Sequence, residues 1–592
     1  MLRQFQRLYP YLWRYRATVL VGLACLLLTN YLDIRMAVLL GSGVDLLGFN
    51  FGALGGVQRA LLALFFVLTV GLAVGSAVAR FWMRQLIIGV SRQVEYDLRN
   101  DFFGHLLRLS PSFYDRYRTG DLMSRATSDM EAIRTVIGPA LMYMANTVAI
   151  VPMTLTQMAH LSPLLTLICW CPLILIAPHF YFFSRRIHRR FRRTQEQMSD
   201  LSANIQENLS GVRIIKVYAR EAQQARQFDA LSQEYVKENV LLGRLQSIFI
   251  PTLMLIVGLT MLALLLGGSV LIIRDRLTIG ALFTFFVLLQ ACIWPMAAFG
   301  WVLAQLERGA ASMIRVDEIL NQQPAVIDRD GASPVPVLRG RLELRNLTFT
   351  YPGAARASLS GITLDLPAGA TLGLIGPVGC GKSTLGALLV RRYNPPPGTI
   401  LIDGLDLLDW PVEGLRRQIG VVDQEPFLFS DTIESNIAYG LDGIGPEGSA
   451  EAARRAAGVA QFEQEIQSFP AGYETILGER GINLSGGQRQ RAALARALAR
   501  DPALLILDDA LAAVDTQTEA AILRGLRGVL GARTTLLISH RLSTVSLADS
   551  IAYMENGRVV ELGTHEELLA RRGKYWALAQ RQRLAEEIER TA

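Results

Sequence analysis

Six apolar stretches in the first half of the chain constrain its fold more than any other feature. They occupy residues 17–40, 60–79, 136–156, 164–183, 248–273 and 279–303. Each is about 20 residues or longer, enough at roughly 1.5 Å per residue to cross a hydrocarbon core of about 30 Å. Lipid offers the backbone no hydrogen-bond partner, so segments of this kind span as helices. The connections alternate in charge. Residues 42–58 and 159–163 hold no Lys or Arg, whereas residues 80–134 and the run Arg185-Arg186, Arg189-Arg190, Arg192-Arg193 are rich in arginine. Arginine-rich connections mark the cytoplasmic side, and Arg274 and Arg276 in a short outer loop are minor exceptions. The expectation is a multi-pass protein of the cytoplasmic (inner) membrane with both termini in the cytoplasm.

Composition narrows the function classes. Over the 592 residues, 51% are hydrophobic, 19% are charged and the formal charge is +7. The basic excess sits beside the apolar runs, which speaks for membrane topology and against a nucleic-acid partner. Of the five cysteines, Cys25, Cys169, Cys171 and Cys292 lie in apolar runs and Cys380 stands apart, so neither a zinc site nor a disulfide framework is expected. Residues 1–16 mix arginines with Phe5, Tyr11, Trp13 and Tyr15, and read as an amphipathic helix on the inner membrane surface with no cleavable signal.

The long connections keep helical periodicity, so the spans continue into the cytoplasm. Each is interrupted once, before Gly120-Asp121-Leu122 and around Gly211-Val212-Arg213. The membrane domain is assigned to residues 17–310 and a linker to 311–340, marked by Pro324, Pro334, Pro336 and Asp328-Arg329-Asp330-Gly331. Short β-rich runs then alternate with helices over residues 341–580, the pattern of an α/β domain, and 581–592 form a tail.

Within that second half lies Gly376-Pro377-Val378-Gly379-Cys380-Gly381-Lys382-Ser383, followed by Thr384. It fits G-x-x-x-x-G-K-[ST] between a strand-like run and a helix-like one. There, glycines bring backbone N–H groups to the phosphates of a nucleoside triphosphate, Lys382 reaches the β/γ-phosphates and Ser383 ligates Mg²⁺. A second apolar strand, Leu504-Leu505-Ile506-Leu507, ends in Asp508, which would serve the same Mg²⁺. Between these lies Leu484-Ser485-Gly486-Gly487-Gln488. A glycine-rich structural turn is the alternative reading, and the downstream motifs argue against it.

Taken together these motifs resemble the ATP-binding cassette (ABC) exporters, specifically a half-transporter with membrane and nucleotide-binding domains in one chain. The resemblance covers nearly the whole length and implies six membrane helices in the type IV (type I exporter) fold fused to an α/β P-loop domain. It implies an ATP hydrolase coupled to outward transport, with ATP and Mg²⁺ bound between two cassettes. Tyr351 then resembles the aromatic that stacks on adenine, and Gln424 the glutamine that senses Mg²⁺ and contacts the membrane domain. Ser485, Gly486, Gly487 and Gln488 resemble the signature that closes on the partner's nucleotide. Glu479 resembles the loop facing the coupling helices, Asp515 the D-loop aspartate and His540 the switch histidine. The two interruptions resemble coupling helices.

One departure stands out. Hydrolytic cassettes carry Glu after the strand-terminal aspartate, and this chain has Asp509. Aspartate is one methylene shorter, and a misplacement of about 1 Å costs on the order of 10²-fold in rate. Together with Asp515 and His540 the segment resembles the Asp-bearing subunit of heterodimeric multidrug-type exporters, whose own composite site is degenerate. That implies a second half-transporter as partner. Intact His540 runs against the pattern in those subunits that lose it. A homodimeric lipid flippase or exporter with slow Asp-based hydrolysis, and a nucleotide-gated channel or regulatory subunit, are the alternatives. Cargo is left open among hydrophobic small molecules, lipids and peptides. Asn30, Asp33, Arg35, Asn146 and Gln290 are polar groups in apolar spans. Asp33 lies about 26 Å along its helix from Arg16, where pairing between helices or snorkelling competes with cargo contact. Trp170, Phe180, Phe285, Phe286, Trp294 and Trp301 either line a cavity or pack, and Pro251 and Pro295 offer kinks.

Overall fold

The computed structural model describes residues 2–47, 56–329, 337–441, 443, 445–531 and 533–591. Pro334, Pro336, Asp330 and Gly331 of the expected linker, and part of the 42–58 loop, lie outside the described residues. The chain forms two compact units. One comprises the residues up to Leu107 with Thr119–Gln322, the other Arg108–Arg118 with Gln323–Ala592.

The first unit holds six helices long and apolar enough to cross a membrane: Arg16–Leu46, Ala63–Arg108, Thr119–Leu161, Pro163–Ser210, Glu221–Ile273 and Ile279–Leu320. The fifth has 53 residues, about 80 Å of helix, so it far outruns a hydrocarbon core. Ahead of them, Leu2–Leu8 is 3₁₀ and Tyr9–Arg14 is α-helical, with Tyr11 and Tyr15 donating to Asp101 (2.5 Å) and Asp97 (3.0 Å). Of the expected interruptions, one is a short helix Pro111–Tyr114 before the restart at Thr119. The other is Val212–Val217 just after Gly211. The third span contains two π-helical stretches, Arg125–Asp129 and Val136–Ala140.

Arg80 corrects the sequence reading. Taken above as the start of a cytoplasmic connection, it lies inside a continuous helix and bonds Asp33 at 2.6 Å, with Ser76 donating to the same carboxylate at 2.5 Å. Asp33 is thus paired between helices at Arg80's level. Packing helices antiparallel sets which residues share a depth, and charge counting along the chain does not. Among the aromatic residues, Phe285 is fully buried while Phe286 and Trp294 are exposed. Pro251 and Pro295 both sit inside continuous helices.

The second unit is a two-sheet α/β domain. Strands β1 (Leu342–Phe349), β2 (Leu359–Leu366), β4 (Ile400–Ile402) and β5 (Leu405–Asp406) form an antiparallel sheet in the order β2-β1-β4-β5. Strands β3 (Thr371–Ile375), β6 (Ile419–Val422), β7 (Leu504–Asp508), β8 (Thr534–Ile538), β9 (Ser550–Glu555) and β10 (Arg558–Gly563) form the other, ordered β10-β9-β3-β8-β7-β6. Its strands are parallel except for the edge pair β9–β10. β3 and β8 are buried along their whole length, as a parallel sheet covered on both faces requires. Within this unit the segment after the sixth span is tied down by Arg391, which is 1% exposed and donates to the carbonyls of Ile327 and Trp410.

Candidate nucleotide site

Parallel strands deliver their C-terminal ends to one edge of a sheet, where ligands of such folds bind. β3, β7 and β8 end there in Gly376, Asp508 and Ser539–His540. After β3 the chain turns through Gly376 (φ +156°) and Gly381 (φ +104°). A Cβ on Gly376 would sit 2.1 Å from the Met554 carbonyl, and one on Gly381 2.6 Å from that of Ser358, so glycine is required at both. Helix Lys382–Leu389 begins directly after, its free N–H groups aimed at the loop. Lys382 Nζ donates to the carbonyls of Gly376 (2.9 Å) and Pro377 (3.0 Å), folded over the loop that would hold phosphate. Cys380 is buried beneath it. Tyr351 donates to buried Thr384 at 3.2 Å, its ring packed edge-on to Tyr393 and Phe349.

Burial pushes the Asp508 carboxyl above the ordinary range, the neighbouring charges of Asp509 and Asp423 push the same way, and a bond from Ser383 opposes them. A carboxylate strained in this manner, with a hydroxyl beside it, fits a divalent cation. No group of three or more His, Cys, Asp or Glu forms a metal cage among the described residues. Mg²⁺ held by a carboxylate and substrate phosphates needs none. Gln424 is exposed in the loop after β6, and its neighbour Asp423 pairs with Arg392.

Asp509 follows β7 with φ +45°, a left-handed conformation uncommon for any residue but glycine. It is held by its own N–H on the Ile538 carbonyl (2.9 Å) and by His540, whose Nδ1 lies 2.9 Å from Asp509 Oδ1. Asp508, Asp509, Ser383, Lys382 and His540 therefore form one group.

The signature residues form another. Ser485 caps helix Gly486–Ala499, its hydroxyl taking the Gln488 N–H while the Gln488 side chain takes the Ser485 N–H. A Cβ on Gly487 would meet the Ala513 carbonyl at 2.9 Å, so the helix start lies against the loop after Asp509. Asp515 caps helix Thr516–Leu530, and the backbone N–H of Thr518 holds its carboxyl below the usual range. Glu479 is exposed beside Arg480, which has φ +54°.

Residues that the motifs did not single out join these groups. Gln490 donates to the Asp509 carbonyl and accepts from Ala513 N–H, strapping the signature helix to the Asp509 loop. Arg541 donates to the carbonyls of Ala512 and Val514 and pairs with Glu519, which also accepts from Ser543 and Thr544. Gln582 on the C-terminal helix donates to the His540 carbonyl (2.6 Å) and accepts from Leu542 N–H (3.0 Å). Only the adjacency of Arg541 to His540 hinted at any of these from sequence.

Two family models match the two units: ABC transporter transmembrane region over residues 19–296, and ABC transporter over residues 359–512. A probable multidrug resistance ABC transporter ATP-binding/permease protein, YheI of Bacillus subtilis, is 36% identical over 95% of each chain. The multidrug resistance-like ATP-binding protein MdlA of Escherichia coli is 36% identical over 84% of this chain and 83% of its own. The ATP-dependent lipid A-core flippase of Salmonella typhimurium is 34% identical over 96% of both. A bacterial Atm1-family ABC exporter solved with ATP bound superposes with TM-score 0.75 at 28% identity, covering 97% of this chain and 98% of that one. This chain belongs to the ABC transporter family. It is a half-transporter, six spans of a type IV exporter fused to an ABC nucleotide-binding domain that binds ATP and couples its hydrolysis to transport.

Proposed function

We propose that this chain is the Asp-bearing half of a heterodimeric exporter of hydrophobic or amphiphilic compounds, set in the cytoplasmic membrane with its nucleotide-binding unit inside. The observation that carries the proposal is Asp509: it stands where water must be polarised, one methylene short and tied to His540. Lys382 and the P-loop N–H groups bind the phosphates, Tyr351 takes the adenine, and Asp515 and the switch residue His540 border the γ-phosphate. Ser383 and Asp508, with Gln424, would hold Mg²⁺, which when bound would neutralise charge on the phosphates. Asp509 accepts a proton from water poorly for want of reach, so this site turns over slowly. Ser485, Gly486, Gly487 and Gln488 are intact and complete the site of the partner half, where most hydrolysis occurs.

Export of multidrug type is favoured by the likeness to YheI and MdlA, which are named for multidrug resistance. The second reading, a homodimeric lipid flippase with two slow sites, draws on the flippase relatives. ATPase activity of the chain purified alone, against the chain purified with a co-expressed candidate half, separates the two. Strong turnover only in the pair supports the heterodimer, and equal turnover alone overturns it. In the pair, Ser485→Ala should lower hydrolysis although the residue lies on this chain.

A further inference from the structure

The end of the fourth span carries a basic cluster that no step above uses. Six arginines, Arg185, Arg186, Arg189, Arg190, Arg192 and Arg193, fall within nine residues directly after the apolar run that ends at Phe183. Beside the other runs arginines come singly, as Arg134, Arg244 and Arg308 do, or in twos, as Arg274 with Arg276 and Arg14 with Arg16 do. Six arginines within nine residues are a denser cluster than the chain carries beside any other apolar run, and membrane orientation calls for no particular contact from them.

The cluster divides in two. Arg190 is spent on Glu238 of the neighbouring helix (3.0 Å), and Arg186 stacks on Phe182 at 3.8 Å. Arg185, Arg189, Arg192 and Arg193 are exposed, and among the described residues none of the four has a hydrogen-bond or ion-pair partner. Glu196, one turn further on, pairs with none of them. Tyr181 and Phe182, exposed immediately before the arginines, are aromatic side chains of the kind that sit at headgroup level. Counting about 1.5 Å per residue from Phe183, the four guanidinium-bearing positions lie roughly 3 to 15 Å beyond the hydrocarbon edge. The headgroup layer fills about 6 Å of that, and the surface field reaches about 8 Å further at physiological salt. Arg185, Arg189 and Arg192 therefore lie within the reach of lipid phosphates, and Arg193 lies at its margin, where its long side chain extends back toward the headgroups, all four with their donors free.

We propose that Arg185, Arg189, Arg192 and Arg193 form a binding surface for the phosphate headgroups of anionic phospholipids at the arginine-rich end of the spans. The surface rests on the membrane-spanning assignment and on neither the cargo nor the partner half. Guanidinium suits the role because its planar fork takes phosphate oxygens two at a time.

The test is native mass spectrometry of the detergent-solubilised full chain, titrated with phosphatidylglycerol or with phosphatidylcholine. Wild type should take phosphatidylglycerol with an apparent affinity about tenfold or more above phosphatidylcholine, from several additive contacts. The quadruple variant R185Q/R189Q/R192Q/R193Q should lose that preference, and the matching Lys quartet should keep most of it. A control that removes the same charge elsewhere, R226Q/R455Q/R524Q/R558Q, should behave as wild type. Retained preference in the Gln quartet, or equal loss in the control, would overturn the proposal. If the Gln quartet does not elute as a folded species, a salt series on wild type decides: the preference must fade as ammonium acetate rises, and persistence overturns it. Displacement of the lipid by excess inorganic phosphate would also overturn it, reassigning the arginines to a soluble anion.

Discussion

The two edges of the nucleotide-binding unit differ in how they are held. At the signature edge, Ser485 and Gln488 close a reciprocal cap whose bonds lie within one turn of helix. At the edge formed by β3, β7 and β8, the contacts that hold Asp509 and His540 are long-range. Asp509 meets His540, Arg541 meets Glu519 and the Asp509 loop, and Gln582 reaches in from the end of the chain. The local edge keeps the family's residues. The long-range edge holds Asp509, and its network fixes that aspartate in a left-handed conformation. A substitution at the second edge is therefore read through the whole network, whereas one at Ser485 acts first through its local cap.

The largest expected effect breaks this contrast. Asp509→Glu restores the missing reach, and the chain purified alone should gain about 10²-fold in ATP turnover in a phosphate-release assay. No gain would mean that the network around His540, and not the methylene, limits this site. Next, Lys382→Ala removes the cation folded over the loop and should weaken ATP binding about 10- to 100-fold in equilibrium titration with a fluorescent nucleotide, while leaving the signature edge able to serve a partner.

Glu519→Gln tests whether the network stabilises the unit. Glu519 is almost fully buried and Arg541 about one-third exposed. Breaking such a pair, discounted for the solvent at Arg541, should cost about 2 kcal/mol and lower the thermal midpoint. Ser485→Ala should cost less, about 1 kcal/mol for a lost cap, because its bonds are local.

The smallest effect is one of sign. Asp508 is raised chiefly by burial, so the folded state holds its proton better than the unfolded state does. Without ligand, stability should fall as pH rises from about 4 through the raised value and stay lower above it. Asp508→Asn should then unfold at a higher temperature than wild type at neutral pH, with the gap closing as pH is lowered. Added Mg²⁺ and ATP should stabilise wild type more than the variant, which keeps the phosphate-binding loop but lacks one carboxylate for the cation.

What could be read along the chain was whatever repeats or bonds locally. Apolar runs of spanning length, the glycines around Lys382, the aspartate closing an apolar strand and the Ser485 cap are all set by neighbours in sequence, because backbone hydrogen bonding and phosphate cradling need adjacent residues. The breaks near Gly120 and Gly211 were visible for the same reason. Arg80 was not. It looked like the start of a loop, and only the packing of the second span against the first puts it beside Asp33. Gln490, Glu519 and Gln582 were equally silent, since a glutamine or a glutamate on a helix face has many possible uses and nothing nearby selects one. The spans, the ATP-binding domain and the presence of an aspartate at position 509 were determined by sequence alone. How Asp509 is held, and which charges pair across helices, was decided by tertiary structure, because those contacts join residues tens of positions apart that only folding brings within hydrogen-bond reach.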